Sequence, residues 1–368
     1  MSARSLIRPL PTTGAVVALA AAAGMSLTAC GSSAAAGAPK GAPSGTASTL
    51  KLGYFANVTH AVPVVGVGDG SYAKALGSTK LSTTIYNAGP TAVQALLSGA
   101  IDAAYVGPNP AINAFIKSHG TAVRLIAGGA SGGAALVVKP SITDVSQLAG
   151  KTVADPQRGG TQDIALKYYL KNHGLGFTGS GGKNVNVVSQ DNAQTLTLFK
   201  QGRIDAAWLP EPWVSRLQQQ AGAKVLVDEK SQWPGGNFVT TNLLVSTSYL
   251  KKNPRTVSAL LGAQVATAQS ITADPTMAAT ELDADLGKLT GKKLPEAVVV
   301  AALKNVKVGW DPYASSLKEL ASHAAAVDLL SKDADLQGIY DLGPLNAVLQ
   351  NKKLAVVSDG GLGAKGSS

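Results

Sequence analysis

Six polar turns hold the residues best suited to grip a small polar solute. They are Asn57-Val58-Thr59-His60, Asn87-Ala88-Gly89-Pro90, Gly107-Pro108-Asn109, Ser131-Gly132-Gly133, Gly160-Thr161-Gln162-Asp163 and Glu211-Pro212-Trp213. Several directly precede a segment with helical patterning. A helix N-terminus offers unpaired N–H groups and the positive end of the helix dipole, so it suits an anion. Each dipole contact contributes only about 0.3–1 kcal/mol. Micromolar binding requires about 8 kcal/mol. Several turns must therefore converge on one solute. The candidate binding residues are Asn57, Thr59, His60, Asn87, Gly89, Asn109, Ser131, Gly132, Thr161, Gln162, Glu211 and Trp213. Ser131 and Thr161 rank first, because adjoining glycines allow close backbone approach. Thr161 also reads as a helix N-cap. His60 is the candidate for a pH-sensitive contact. Glu211 has three readings: partner of a cationic group on the solute, cross-cleft ion-pair partner, or brace of its own loop. Trp213 either faces the cleft or packs beneath it.

Other chemistry finds little support. The sequence has no Gly-x-Ser-x-Gly elbow, Walker loop or His-Glu-x-x-His pair. Gly66-Val67-Gly68-Asp69-Gly70 lacks the spacing of a dinucleotide fingerprint. The single cysteine, Cys30, rules out an intramolecular disulfide and a thiolate metal set. His60, His119, His173 and His323 show no metal-ligand spacing. No catalytic residue, metal or cofactor is assigned. The formal charge of +10 comes from basic residues scattered along the chain. Nucleic-acid binders gather such charge on one face, so that function is not expected.

The elements that must position these turns contain a repeat. Gly99-Ala100-Ile101-Asp102-Ala103-Ala104-Tyr105-Val106 recurs as Gly202-Arg203-Ile204-Asp205-Ala206-Ala207-Trp208-Leu209. Each copy ends in a proline-containing turn. Upstream, Val93 and Leu96 correspond to Leu196 and Phe199. Each unit reads as strand, helix, Gly turn, strand and Pro loop. The paired Asp102 and Asp205 read as turn residues, and Tyr105 and Trp208 as core. In open α/β sheets ligands bind beyond the carboxyl ends of the strands, where the six turns fall. Two similar α/β lobes with a cleft between their loops are therefore expected.

The ends of the chain read differently. Residues 1–29 have the form of an export signal, with Arg4 and Arg8 before an apolar run too short and weak to span a membrane. Leu27-Thr28-Ala29-Cys30 resembles the lipobox of bacterial lipoproteins, in which the cysteine is lipidated. Residues 30–49 are therefore expected to be a lipidated cysteine and a flexible Gly/Ser/Ala/Pro tether. Lobe 1 is expected over 50–138 and lobe 2 over 139–240. The chain then returns to lobe 1 over 241–355, with Phe238 to Ser246 as the return strand and a helical tail after it. Residues 356–368 read as a frayed tail.

With these segments in place, the chain resembles bacterial ABC-importer solute-binding lipoproteins of the nitrate/sulfonate/taurine group, within the broader thiamine-pyrimidine-precursor-like fold. The likeness rests on Leu52 through Ala61, on Asn87 to Pro90 and on Ser98 to Asp102. It continues at Ser131 to Ala134, Thr161 to Asp163 and Pro210 to Trp213. It implies an α/β chain of the type II periplasmic-binding-protein fold, with two similar lobes, an interlobe ligand cleft and a helical C-terminal tail on lobe 1. It further implies a monomer on the outer face of the cytoplasmic membrane. That monomer passes a small anion or zwitterion (aliphatic sulfonate, taurine or nitrate) to an ABC permease and its ATPase. Alternatives are an enzyme or precursor-binding protein of the thiamine-pyrimidine type, and a lipid-anchored sensor on the same fold.

Overall fold

The computed structural model describes residues 45–177 and 183–364. The expected export signal, Cys30 and most of the expected tether lie outside these residues. From its start the described chain forms β1 (Thr49–Phe55), α1 (Ala61–Gly68), α2 (Ser71–Leu76) and β2 (Lys80–Tyr86). Next come α3 (Gly89–Leu97), β3 (Ala103–Val106), α4 (Pro108–Lys117) and β4 (Val123–Gly132). A second set follows: β5 (Ala134–Val138), β6 (Thr152–Asp155), α5 (Thr161–Asn172), β7 (Asn186–Ser189), α6 (Asn192–Lys200), β8 (Ala206–Pro210), α7 (Trp213–Ala221) and β9 (Lys224–Asp228). The chain returns through β10 (Val239–Ser246). Then come α8 (Thr247–Lys252), α9 (Pro254–Ala273), α10 (Pro275–Thr290), α11 (Glu296–Asn305), β11 (Val306–Val308), α12 (Ala314–Ala326) and α13 (Gly343–Asn351).

Two sheets result. The first has the order β11-β4-β10-β3-β1-β2 and the second β7-β6-β8-β5-β9. The central strands are unbroken apolar runs, because helices cover both faces. Every residue of β3 and β8 is buried. The edge strand β2, Lys-Leu-Ser-Thr-Thr-Ile-Tyr, is largely exposed, with Ser82, Thr83 and Thr84 in succession open to solvent.

The sequence repeat is a repeat of topology. Both β3 and β8 lie between a parallel strand, β1 or β6, and an antiparallel one, β10 or β5. The repeated aspartates do the same work in each sheet. Asp102 Oδ2 accepts from the Lys51 N–H (2.8 Å), and Asp205 Oδ2 from the Thr152 N–H (3.0 Å). Their own N–H groups donate to the carbonyls of Lys51 and Thr152. Each carboxylate thus ties the start of one parallel strand to the start of its neighbour. The repeated aromatics are core: Tyr105 donates to Gln264 Oε1 (2.8 Å) and Trp208 Nε1–H to Glu229 Oε2 (2.7 Å).

Four expectations change. The lobe boundary expected at 138/139 moves up to Gly133, because β5 (Ala134–Val138) pairs with β8 and β9 in the second sheet. Ser131 and Gly132 do not form a turn. They complete β4, because β11 extends the pairing with Ser131 opposite Lys307. The chain changes sheet at Gly132 and Gly133, with φ of 73° and 72°, a left-handed conformation that favours glycine. The helical tail packs on the first sheet's helices and also reaches the second lobe, where α12 meets α5 and α11 meets α7. Beyond Val356 the chain stays docked through Gly363, which bridges to Tyr340 while Leu362 is buried.

Candidate functional site

The carboxyl ends of the strands of both sheets face one another across a small cavity. The space open there to the centre of a water molecule is about 40 Å³. One such sphere takes roughly 10–15 Å³, so a few heavy atoms fit. Seven of the twelve expected residues line it: Asn57, Thr59, His60, Asn87, Gly89, Thr161 and Gln162. They come from the turns after β1, β2 and β6, at matching places in the two sheets. Asn192, Thr240 and Thr241 also line it and carry no mark in the sequence. Asn192 opens α6, while Thr240 and Thr241 belong to a return strand that reads only as β.

Three helices begin at this cavity without a side-chain cap: α3 at Gly89, α4 after Gly107, and α5 at Thr161. The N-cap of α5 is Gly160, so Thr161 is its first residue and not its cap. Its hydroxyl does not reach back to the helix. Thr161 Oγ1 is buried and has no hydrogen-bond partner among the described residues. A buried hydroxyl left alone costs roughly 1–3 kcal/mol. Uncapped helix ends and an unmet hydroxyl at one point favour an acceptor that carries negative charge.

No lining residue brings a full charge. His60 is buried, stacked on Phe55 with ring centroids 4.2 Å apart, and its Nδ1 accepts from the Phe55 N–H (3.3 Å). That bond leaves the proton on Nε2. Burial pulls its pKa down to about 3, so His60 stays neutral near pH 7 and is not the pH-sensitive contact the sequence suggests. Two acids stand near the start of α5. Asp163 is paired with Lys167. Burial, and then the charge of Asp163, push the Asp155 carboxyl up to about 7. The positive end of α5 is thus opposed by little net negative charge.

The remaining expected residues go elsewhere. Asn109 is buried and its Nδ2 donates to the Leu320 carbonyl (3.1 Å), which fastens α4 to α12. Ser131 and Gly132 lie in the strand that crosses between the sheets, and Gly132 O accepts from Thr240 Oγ1 (2.6 Å). Trp213 stands outside the cavity, and its Nε1–H donates to Asn57 Oδ1 (3.0 Å) across the cleft. Glu211 is buried and turned away from the cavity. Its Oε1 accepts from Ser215 Oγ (2.9 Å) and Asn305 Nδ2 (2.7 Å), and its Oε2 from the Ser215 N–H (3.1 Å). Of its three readings, the loop brace describes these bonds, and the brace extends to the end of α11. Burial raises its pKa, and the bonds from Asn305 and Ser215 oppose that shift.

The model of the NMT1-like family matches residues 44–283. The taurine-binding periplasmic protein of Escherichia coli (strain K12) is 26% identical over 242 residues, which cover 65% of this chain and 72% of the relative. The alkanesulfonate-binding protein SsuA from Xanthomonas axonopodis pv. citri, solved bound to MOPS, superposes with a TM-score of 0.65 at 22% identity. That match covers 78% of this chain and 96% of SsuA. The periplasmic nitrate-binding protein NrtA from Synechocystis PCC 6803 superposes with a TM-score of 0.66 at 18% identity, covering 85% and 86% of the two chains. Both structural likenesses are of fold, and both relatives have the periplasmic-binding architecture.

Proposed function

The chain belongs to the NMT1-like family, and from that premise we propose that it is the extracytoplasmic solute-binding component of an ABC importer. It captures a small anion between its lobes and delivers it to a permease driven by an ATPase. The observation that carries this reading is the cavity itself: neutral donors, three uncapped helix starts and an unmet hydroxyl, with no carboxylate among its lining. The relatives named for taurine, alkanesulfonate and nitrate support the solute class. A sulfonate head or a nitrate satisfies such donors directly. The ammonium group of taurine finds Glu211 engaged elsewhere, while Asn192 Oδ1 lines the cavity as a buried acceptor with no partner among the described residues.

The first test is calorimetry with nitrate, ethanesulfonate and taurine on the parent protein and Thr161→Val. The variant removes one hydroxyl and keeps the shape. No internal hydrogen bond is lost, so the thermal midpoint stays within about 2 °C. Affinity for the bound anion is expected to fall about tenfold, the value of one hydrogen bond to a charged group. Unchanged affinity would place the anion elsewhere.

The reading includes a lipid anchor at Cys30, which lets a monomeric body work at the outer face of the cytoplasmic membrane. Its support is the lipobox-like Leu27-Thr28-Ala29-Cys30. Cys30→Ser is expected to move the protein from the membrane fraction to the soluble one. Retention in the membrane fraction would refute the anchor.

A further inference from the structure

A second space adjoins the inner cavity. Asn57, Asn87 and Asn192 line both the cavity and a chamber of about 770 Å³ on the same measure. The chamber lies between α6 and α7 on one side and the α10–α11 connection on the other. Its chemistry is unlike that of the cavity. Lys200, Arg216, Lys292 and Lys293 line it against a single acid, Asp191. Asp191 is already engaged, as its carboxylate accepts from the Ala193 N–H at the start of α6 (2.9 Å). None of the four cations makes an ion pair among the described residues. Arg216 lies over the ring of Trp213, 4.2 Å from its centroid, and its Nε is buried without a hydrogen-bond partner among the described residues. A stacked guanidinium with an unmet donor is suited to a carboxylate or similar oxyanion.

We propose that the solute is a dianion: one acidic head in the inner cavity, an apolar link against Trp213, and a second acidic group held by Arg216, Lys292 and Lys293. This rests on the anion-binding reading above and narrows it to a class. The two spaces divide the recognition. The neutral cavity admits a head of a few atoms, and the basic chamber selects the group at the far end of the link. Because α6 and α7 belong to the second lobe and Lys292 and Lys293 to the tail, the second group also bridges the two sides as they close.

Calorimetry at low salt with benzenesulfonate and 4-sulfobenzoate tests this, since the two probes differ by one carboxylate. The dianion is expected to bind at least about tenfold tighter. The double variant Lys292→Gln/Lys293→Gln is expected to cut that advantage below about threefold. Both lysines are exposed, and an unchanged thermal midpoint verifies the fold. Equal affinity for the two probes in the parent protein overturns the inference and leaves the anion site standing. An advantage that survives in the double variant overturns the placement of the second group. Failure of both probes while ethanesulfonate or nitrate binds also overturns it. Failure of every anion removes the reading on which the inference rests.

Discussion

Gly107→Ala is expected to give a folded protein that no longer closes on its solute. Gly107 precedes α4 with a φ of −67°, a conformation alanine adopts freely, so the backbone carries no strain. The obstacle is across the cleft. A Cβ at Gly107 would stand 2.3 Å from Thr161 Oγ1, and real carbon and oxygen atoms do not approach so closely. Thr161 begins α5 in the second lobe and Gly107 follows β3 in the first. The added methyl group therefore wedges the lobes apart at the point where the anion sits. Opening the cleft relieves the clash without cost to either core. Solute affinity is expected to fall at least about a hundredfold, or roughly 2.7 kcal/mol, because closure brings the helix starts together. The thermal midpoint without solute should shift by less than about 2 °C. Calorimetry with the anion bound by the parent protein checks the first quantity, and a melting curve the second. Parent-like affinity would mean that Gly107 and Thr161 do not meet in the bound state.

Glu211→Ala acts on stability. Its carboxylate takes three hydrogen bonds, two from Ser215 and one from Asn305, in a site that is almost fully buried. Removing it strands three donors and opens a gap at the end of β8. Hydrogen bonds to a charged group contribute about 1.5–3 kcal/mol each, though such effects do not add. A loss of at least about 3 kcal/mol in urea unfolding is expected. Glu211→Gln keeps the shape and one good acceptor, and should lose about 1 kcal/mol. Neither variant should distinguish taurine from ethanesulfonate, since the carboxylate does not line the cavity. A selective loss of taurine affinity in Glu211→Gln would show that the residue turns toward the solute on binding.

These two residues mark how far the sequence reaches. Gly107 stands in a turn the sequence singles out, yet its partner Thr161 is many residues away. Glu211 is conspicuous by its charge, and the charge proves to brace a loop. His60 has the right residue type for a pH-sensitive contact, and burial takes that role from it. In each case the residue type is legible, and the surface it touches is not.

Local rules determined much of the scaffold. The Ile-Asp-Ala-Ala repeat implied two strands of equal standing, because an apolar run between a Gly turn and a Pro loop has few other uses. It also implied that both aspartates serve turns, and each does tie the start of a parallel strand. Helix-start chemistry placed seven cavity residues in three turns. The tertiary structure alone decided the rest. β11 is three residues long and is a strand only because β4 offers an edge to it. That pairing turned the expected Ser131-Gly132 turn into strand and removed both residues from the cavity. Asn109 was drawn to α12, which lies in the tail. Thr240, Thr241 and Asn192 entered the cavity because a return strand and a second helix start there. The division has a physical cause. Turn and helix-cap energies are set within a few residues, so sequence displays them. The direction of a side chain is set by whichever distant surface it meets, and only the packed fold brings that surface to it.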